Sequence, residues 1–356
     1  MKYRIFLTHI VPKGKEIEAG ISFAAGNFTR NLISGGEFEH VYSIPPSNVK
    51  HIYQDSDGIE FICSKTRIWG RPFYKISPFI EQIRLFFKIK KESSLWIYNM
   101  TMLSEILVAL LRIFKPSVTV NVIVLDFTPG APNNDRLLKR INSCDGLITL
   151  ADSELFVNKN KVCLPGVAPL GGKSWPRIEK PIKKRFLLSG VLAEQISQIS
   201  KVMEVFSKLP EIELHITGSK INQSLIEKYI EYKNIIYHGR LQWTEYLDLL
   251  HSCPFLLSTR DISAPENKCN FPSKIIESLL HNRIILSTFN YTQLKDIRII
   301  KIGNGLDEMI LDIKKISSQS DEYLMQFANQ AEKTEKLFSV KVWNKAMETI
   351  EKGNKN

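Results

Sequence analysis

The sequence predicts an α/β protein built from two doubly wound domains. Short apolar runs alternate with amphipathic helical segments through the second half of the chain, which is typical of βαβ units. In the first half, residues 118–125 form a continuous apolar run of the kind that is buried in parallel sheets. A length of 356 residues is sufficient for two domains that each bury a hydrophobic core.

Composition places the domain boundary near residue 180. The stretch 165–184 is rich in proline, glycine and lysine and has no periodic pattern, so we interpret it as a linker. We therefore assign residues 1–180 to an N-terminal domain and residues 181–335 to a C-terminal domain. Residues 336–356 contain an amphipathic segment that predicts a closing helix. Near the start of the chain, a first helix is predicted to begin close to Ser22.

Overall composition excludes several classes of protein. A hydrophobic content of 44% and a charged content of 24% are those of a folded globular protein. The first residues lack a signal-peptide pattern, and the most apolar region is interrupted by Arg112, Lys115 and Pro116, which argues against a membrane span. The five cysteines include no C-x-x-C pair, so we expect reduced thiols and no metal site. We expect a cytoplasmic protein.

The net charge of +11 predicts an anionic partner. Nucleotide-sugar phosphate, anionic lipid and nucleic acid are the candidates. Nucleic acid is the least favoured, because the positive charge is spread along the chain and no nucleic-acid-binding motif is visible.

A basic amphipathic helix is predicted within residues 77–91. Its apolar residues are Phe79, Ile80, Ile83, Phe86 and Phe87, and its basic residues are Arg84, Lys88, Lys90 and Lys91. Such a helix could rest on the anionic inner face of a membrane, as a peripheral contact. Alternatively, it could pack its apolar face on the core and leave a solvated basic face.

Residues 253–288 carry the main candidate site. An apolar run at 255–258 predicts a strand, a polar loop follows, residues 273–280 repeat at helical spacing, and 283–287 is apolar again. The helix start follows a strand of an alternating α/β chain. Free N–H groups and the helix dipole therefore converge there and favour an anion.

The side chains at this helix start suit a phosphorylated sugar ligand. Pro272 is tolerated at the first turn, and Asn270 can cap it. Ser273 and Lys274 stand at the start, and Glu277 lies one turn deeper on the same face, together with His281, which we expect to be exposed. We expect phosphates at the helix start and sugar hydroxyls beside Glu277.

Three strand-like runs of the second half end in glycine, at Gly190, Gly218 and Gly239. Glycine allows a ligand to approach the backbone closely, so these positions are candidate binding residues. His238 and Arg240 flank the last of them, although Arg240 could equally be a surface residue paired with Glu245.

The segment NFPSKIIESLLHNRIILST, which begins at Asn270, resembles the donor-binding segment of retaining GT-B glycosyltransferases, typically F-P-S-K-x-x-E before an apolar helix and a strand. The strand and helix order of residues 186–290 also resembles the GT-B donor domain. The resemblance implies two Rossmann-like domains that face each other across a cleft. It implies ribose at Glu277, diphosphate at the helix start beside Phe271 and Pro272, and the nucleobase around residues 238–240.

The chain departs from this family pattern in three places. Cys269 stands where the family usually has a second glutamate, and Glu266 nearby is a candidate substitute. The segment after Gly190 lacks the usual arginine and lysine, which leaves Lys274 and Arg240 as candidate cations for the diphosphate. Asp126 follows the strand at 118–125, where relatives commonly carry a histidine. It is a candidate contact to the sugar or acceptor, or alternatively a turn cap.

The resemblance implies a metal-independent hexosyltransferase that acts in surface polysaccharide biosynthesis, with a UDP-sugar as the favoured donor and a glycan or lipid-linked acceptor. One alternative is a catalytically silent GT-B protein that binds nucleotide or glycan and supports a partner enzyme. Another is a nucleotide-sugar epimerase of the same architecture, which needs further acidic and histidine groups that we do not find. In the leading interpretation, Glu277→Ala weakens nucleotide binding with little effect on the melting temperature.

Overall fold

The computed structural model of the protein describes residues 3–21, 23–69, 75–169, 175–261 and 263–353. Ser22 and part of the predicted linker, residues 170–174, lie outside this description. The chain forms two compact units: the first comprises Met1–Leu170, Cys269–Phe271 and Phe338–Asn356, and the second comprises Gly171–Lys268 and Pro272–Leu337.

The first unit is a seven-stranded parallel sheet with helices. Its strands are β1 (Tyr3–Thr8), β2 (His40–Ser43), β3 (Glu60–Phe61), β4 (Ser93–Tyr98), β5 (Thr119–Val124), β6 (Gly146–Thr149) and β7 (Lys161–Cys163). The helices at the N-terminal side of the chain are α1 (Phe23–Ile33), α2 (Ser77–Lys88), α3 (Ser104–Phe114) and α4 (Asn134–Asn142). The strand order β3-β2-β1-β4-β5-β6-β7 is doubly wound and reverses direction between β1 and β4.

The second unit repeats this plan with six parallel strands in the order β10-β9-β8-β11-β12-β13. These strands are β8 (Arg185–Val191), β9 (Glu213–Ser219), β10 (Ile235–Tyr237), β11 (Phe255–Ser258), β12 (Ile284–Ser287) and β13 (Ile300–Lys301). The remaining helices of the chain are α5 (Glu194–Ser197), α6 (Ile199–Ser207), α7 (Gln223–Tyr229), α8 (Trp243–Ser252), α9 (Pro265–Cys269), α10 (Ser273–Leu280), α11 (Leu306–Ser317), α12 (Asp321–Met325), α13 (Ala331–Phe338) and α14 (Val340–Gly353). The predicted α/β class with two Rossmann-like sheets is therefore confirmed.

The central strands of each sheet are buried. Every residue of β4 is buried, and in β5 only the first residue is partly exposed, which confirms the apolar run as a buried parallel strand. In the second unit, the ring of Phe186 stacks on Phe255 at 4.7 Å between centroids and meets Phe206 at 5.5 Å. Aromatic contacts of this kind add to the free energy of apolar burial.

The closing helix α14 is fixed to the first sheet by a buried ion pair. The Glu351 carboxylate accepts hydrogen bonds from Arg4 Nη2 at 2.8 Å, Trp96 Nε1 at 2.9 Å and Ser94 Oγ at 2.8 Å. Burial raises the pKa of Glu351, whereas the hydrogen bonds from these donors lower it. The net effect is a lowered pKa, so the carboxylate stays charged. Arg4 is 5% exposed and depends on this partner.

Two helical segments differ from the sequence prediction. The apolar residues between 196 and 209 recur at helical spacing, but Gln198 has a left-handed φ of 47°, which separates α5 from α6. The polar loop before α10 contains the short helix α9. Both features depend on contacts outside the segment, such as the hydrogen bond from Gln198 Nε2 to Asn304 Oδ1 at 2.7 Å.

Helix α2 buries its polar side. Its buried residues are Ser77, Pro78, Glu81, Gln82 and Leu85, whereas Phe79 and Phe87 are exposed. The predicted apolar face is therefore divided, with Phe79 and Phe87 exposed and Phe86 packed against the core of the first unit. Within the described residues, no helix combines the length and apolar character that crossing a membrane requires.

A buried ion pair determines this orientation. Arg67 and Glu81 are 1% and 0% exposed, and their side chains are joined by hydrogen bonds of 2.6 and 2.5 Å. Arg67 also donates to the carbonyl oxygens of Pro45, Pro46 and Val49. The guanidinium is thus satisfied only when Glu81 faces inward.

Replacing Glu81 with Gln removes the charge but keeps the shape. It leaves Arg67 as an uncompensated buried charge, which costs about 3–5 kcal/mol and should lower the melting temperature by roughly 6–20 °C in calorimetry. The control Glu204→Gln breaks an exposed ion pair with Lys208 and should shift the melting temperature by roughly 2 °C at most. Equal shifts for the two variants would contradict this account of α2.

Candidate functional site

The carboxyl edge of the second sheet begins where β8 and β9 approach most closely. In this part of the ladder Gly190 pairs with Gly218, and Val191 pairs with Ser219. A Cβ atom on Gly218 would lie 1.9 Å from the carbonyl oxygen of Gly190, so only glycine fits there. We predicted these glycines for close approach to a ligand. At Gly218 the glycine allows the neighbouring strand to approach, and a ligand contact there stays a prediction.

The sheet reverses direction beside Gly190. β8 lies between β9 and β11, so the chain leaves the carboxyl ends of β8 and β11 in opposite directions and opens a crevice there. Arg260 follows β11 at this edge, and its Nη1 donates to Asn267 Oδ1 at 2.8 Å. Asn267 in turn donates to the carbonyl oxygens of Gln195, in α5, and Asp261. This network places a cation at the switch point.

The start of α10 brings the predicted phosphate and ribose residues together. Pro272 is the N-cap, Ser273 is exposed, and Lys274 Nζ donates to Glu277 Oε1 at 2.7 Å. A Cβ atom on Gly190 would lie 3.9 Å from Lys274 Cγ, so the lysine lies next to the end of β8. The predicted cap by Asn270 is wrong, because α10 has no side-chain cap.

Glu277 is held by a second donor that the sequence did not reveal. Tyr246, in α8, is 6% exposed, and its hydroxyl donates to Glu277 Oε1 at 2.6 Å. Burial and the Glu277 carboxylate raise the pKa of Tyr246 well above its usual value, so it remains a donor. The ring of Tyr246 lies 3.9 Å from Lys274 Nζ. Glu277 Oε2 receives no hydrogen bond from any residue in the described ranges and is available to a ligand hydroxyl.

The ends of β9 and β10 bring the other predicted donor residues together. The Gly239 carbonyl oxygen accepts hydrogen bonds from the Gly218 N–H at 3.0 Å and from Thr217 Oγ1 at 2.8 Å. His238 Nε2 lies 3.0 Å from His215 Nδ1, and the two rings stack with centroids 5.2 Å apart. Arg240 is exposed beside them.

Two residues of the recognised motif, Asn270 and Phe271, and the preceding Cys269 belong to the first unit. Asn270 Oδ1 accepts from the Phe127 N–H at 2.7 Å, and Asn270 Nδ2 donates to the Phe127 carbonyl oxygen at 3.0 Å. Phe271 is 3% exposed, and Cys269 is 2% exposed within the apolar core. Asn270 and Phe271 therefore have structural roles in this unit, and their contacts to a donor stay a prediction. Cys269 occupies a site where a carboxylate would be buried in apolar surroundings.

The two predicted catalytic carboxylates belong to different units. Asp126 is exposed after β5, in the first unit, and its N–H donates to Asn99 Oδ1 at 3.3 Å. Glu266 is half-buried in α9, in the second unit. Within the described part of the chain, no group of three or more His, Cys, Asp or Glu side chains is arranged as a metal site.

His281 does not share the exposed face of α10. It is 8% exposed, and its Nδ1 lies 2.8 Å from His251 Nε2. The ring of Trp175 meets it edge-on at 4.9 Å. The prediction of an exposed histidine is wrong, because the chain turns inward to β12 at this point.

Structural comparison identifies the architecture. The N-terminal domain of trehalose-6-phosphate phosphatase from Candida albicans matches with a TM-score of 0.72 and 13% identity, over 99% of this chain and 97% of that one. HepE from Anabaena, in complex with UDP and glucose, matches with a TM-score of 0.65 and 11% identity, over 98% of each chain. A UDP-forming α,α-trehalose-phosphate synthase from Burkholderia vietnamiensis matches with a TM-score of 0.63 and 8% identity, over 97% of this chain and 98% of that one.

The chain has the GT-B fold. No protein-family model and no curated protein sequence matches it. At 8–13% identity, the GT-B likeness lies in the course of the backbone and shows the fold alone.

Sequence reasoning missed Tyr246, Arg260 and Asn267. A tyrosine at helical spacing in α8 is usually a core residue, so nothing local distinguished Tyr246. Arg260 could have been found, because it directly follows an apolar strand and ligand groups gather at the carboxyl ends of GT-B strands. The part played by Asn267 depends on α9, which the sequence did not predict.

The histidine pair predicts a pH-dependent stability of the second unit. Burial lowers the pKa of both His215 and His238 below 6.5, against the raising effect of Glu213 on His215. The unfolded chain therefore takes up protons first as the pH falls through about 6.5, and stability that is complete above this pH is lost below it.

Calorimetry between pH 7.5 and 5.5 should show a falling melting temperature. His238→Gln removes one titrating ring, so its melting temperature should fall less over the same range. The control His51→Gln alters an exposed histidine in the first unit and should behave as the unmodified protein does. An identical pH dependence in His238→Gln would contradict the prediction.

Proposed function

We propose that this protein is a retaining, metal-independent glycosyltransferase. It transfers a hexose from a nucleotide-sugar to a hydroxyl group of a glycan or lipid-linked acceptor in surface polysaccharide biosynthesis, at the cytoplasmic face of the membrane. The observation that carries the proposal is the Tyr246, Lys274 and Glu277 cluster at the start of α10, beside the switch point of a GT-B sheet.

Recognition of the diphosphate is supported by cations and backbone donors at one sheet edge. The Ser273 and Lys274 N–H groups open the first turn of α10, where the helix itself supplies no acceptor for them, whereas the Ile275 N–H donates to the Pro272 carbonyl oxygen at 3.0 Å. The helix dipole favours negative charge at this end. Lys274 and Arg260 supply the charge that is absent after Gly190. Charge-assisted hydrogen bonds from these groups would stabilise the diphosphate as it leaves.

Recognition of the ribose is supported by the geometry of Glu277. Its side chain is held from one side by Tyr246 and Lys274, which both bind Oε1. Its Oε2 can accept a hydrogen bond from a ribose hydroxyl without releasing either donor. A carboxylate that is already positioned loses little conformational freedom when the nucleotide binds.

UDP is the nucleotide that we propose. HepE binds UDP and glucose in its crystal structure, and the Burkholderia enzyme is named as UDP-forming. In this protein the corresponding edge carries His238, Gly239 and Arg240 beside the ends of β9 and β10, which we assign to the nucleobase.

In the proposed reaction the acceptor oxygen bonds to the anomeric carbon as the bond from that carbon to the phosphate oxygen breaks. The leaving phosphate takes the acceptor proton, so no separate base is needed. Glu266, half-buried in α9 of the second unit, is the carboxylate that we propose near the sugar. Cys269 cannot serve in this way, because it is buried in the core of the first unit.

That burial favours one alternative function, a GT-B protein that binds nucleotide but does not transfer sugar. A buried thiol at this position supplies no charge to an oxocarbenium-like transition state. Nucleotide binding without turnover would support this alternative.

Calorimetric titration with UDP, GDP, CMP and UDP-sugars, without added metal, tests the proposal. We expect UDP to bind. The Glu277→Gln substitution should weaken the affinity for UDP about ten- to a hundredfold, since a hydrogen bond to a charged group contributes about 1.5–3 kcal/mol. Gln retains an acceptor for the buried Tyr246 hydroxyl. Glu277→Ala leaves that hydroxyl unpaired, so we now expect it to lower the melting temperature as well.

The matched control is Glu332→Gln, which changes a 92% exposed carboxylate of the same unit and should leave UDP affinity unchanged. Release of UDP from a UDP-sugar in the presence of acceptor separates the transferase from the silent protein. Failure of all the nucleotides to bind, or equal UDP affinity in Glu277→Gln, would refute the assignment of the donor site.

A further inference from the structure

Helix α2 turns its apolar stripe to solvent. At about 100° per residue, Phe79, Ile83 and Phe87 fall on the side opposite the buried residues of this helix. Phe79 is 44% exposed, Phe87 is 74% exposed, and Ile76, which precedes the helix, is 48% exposed. A soluble helix normally buries such a stripe, so its exposure marks a binding surface.

The exposure is fixed by the fold. The inward side of α2 carries Glu81, whose Oε1 accepts hydrogen bonds from the Ser64 N–H at 2.7 Å and from Arg67 Nε at 2.6 Å. Turning the apolar stripe inward would leave Arg67 buried without a counter-charge, and this is strongly unfavourable. The stripe therefore stays outside in the folded protein.

The end of α3 extends the same surface. The ring of Phe86 lies 5.3 Å from that of Phe87 and 6.2 Å from that of Phe114. Lys115 Nζ donates to the carbonyl oxygens of Phe86 and Ile89 and so holds the ends of α2 and α3 together. We call the exposed residues Phe79 and Phe87 of α2, together with Ile113 and Phe114 of α3, the Phe87 surface.

Positive charge surrounds the Phe87 surface. The exposed cations next to it in sequence on α2, α3 and the segment that follows α2 are Arg84, Lys88, Lys90, Lys91 and Arg112. Glu60 pairs with Lys88 and Asp145 with Arg112, and Glu92 is exposed nearby. Even with these carboxylates present, cations exceed anions around the apolar residues.

This combination identifies the partner. Protein interfaces are depleted in lysine, whereas helices that lie on membranes combine exposed Phe and Leu-like residues with flanking lysines. Long lysine stems can reach lipid phosphates while the aromatic rings enter the acyl boundary. We propose that the Phe87 surface docks the first unit on an anionic lipid bilayer. Delivery to a lipid-linked acceptor rests on the proposed function, but the docking itself does not.

Vesicle flotation tests the docking with the full-length protein. We expect binding to vesicles of phosphatidylcholine with about one third phosphatidylglycerol, little binding to pure phosphatidylcholine, and loss of binding as salt increases. Phe87→Ser with Phe114→Ser should reduce the partition coefficient about tenfold or more. Lys90→Glu with Lys91→Glu should do the same, because each cation near an anionic surface contributes to the attraction.

Matched controls are available in the same unit. Val157→Ser removes a 72% exposed apolar side chain elsewhere, and Lys341→Glu with Lys345→Glu reverses exposed charges on α14. These variants should bind as the unmodified protein does. The Phe87 and Phe114 side chains are exposed, so their replacement should leave the melting temperature almost unchanged.

Several results would overturn the proposal: no binding to anionic vesicles, equal binding to neutral vesicles, or full binding by Phe87→Ser with Phe114→Ser. Concentration-dependent dimers that this double variant abolishes, without any vesicle binding, would assign the surface to a second copy of the chain. UDP titration of the same variants keeps the two proposals separate. Loss of vesicle binding with intact UDP affinity concerns the Phe87 surface alone.

Discussion

The approach of Gly218 to the carbonyl oxygen of Gly190 sets the geometry on which the candidate site depends. Because no side chain separates them, β8 and β9 stay paired to their last residues and end at one level. The chain then leaves β8 and β11 in opposite directions, and the crevice between them receives groups from α5, α9 and α10. The glycine is thus a packing requirement, and the place where a ligand could bind follows from it.

The groups around this crevice hold one another in place without a ligand. Lys274 is fixed by a carboxylate and an aromatic ring, Glu277 by a buried phenol, and Arg260 by the neutral amide of Asn267. Such a site is positioned before binding, so binding energy is not lost in ordering it. Glu277 therefore contributes both to the stability of the folded state and to the proposed recognition of the nucleotide. A substitution there has to keep an acceptor for Tyr246 if the effect on binding is to be separated from the effect on stability.

The sequence predicted elements whose determinants are local. Helix α10 was predicted at Ser273–Leu280 and observed there, because a proline precedes it and its apolar residues repeat at helical spacing. Orientation was harder to predict. Periodicity shows which residues of α2 share a face, but the buried partner of Glu81 is Arg67, distant in sequence, and only this contact determines which face turns inward. Cys269 likewise looked like a change in a binding motif, and its real environment is an apolar core assembled from distant strands.

The ion pair between Arg4 and Glu351 affects how the protein folds while it is being synthesised. The two residues are separated by 347 positions, so the first strand leaves the ribosome long before the carboxylate that neutralises it. Until then the guanidinium that the finished fold buries has Glu37, at 3.5 Å, as its counter-charge but lacks Glu351, and the Trp96 and Ser94 donors lack their acceptor. The second unit contains no residue beyond Leu337 and can complete its sheet earlier. We infer that, during synthesis, the first unit reaches its full stability only after Glu351 has been made, although most of its strands precede the second unit in the chain.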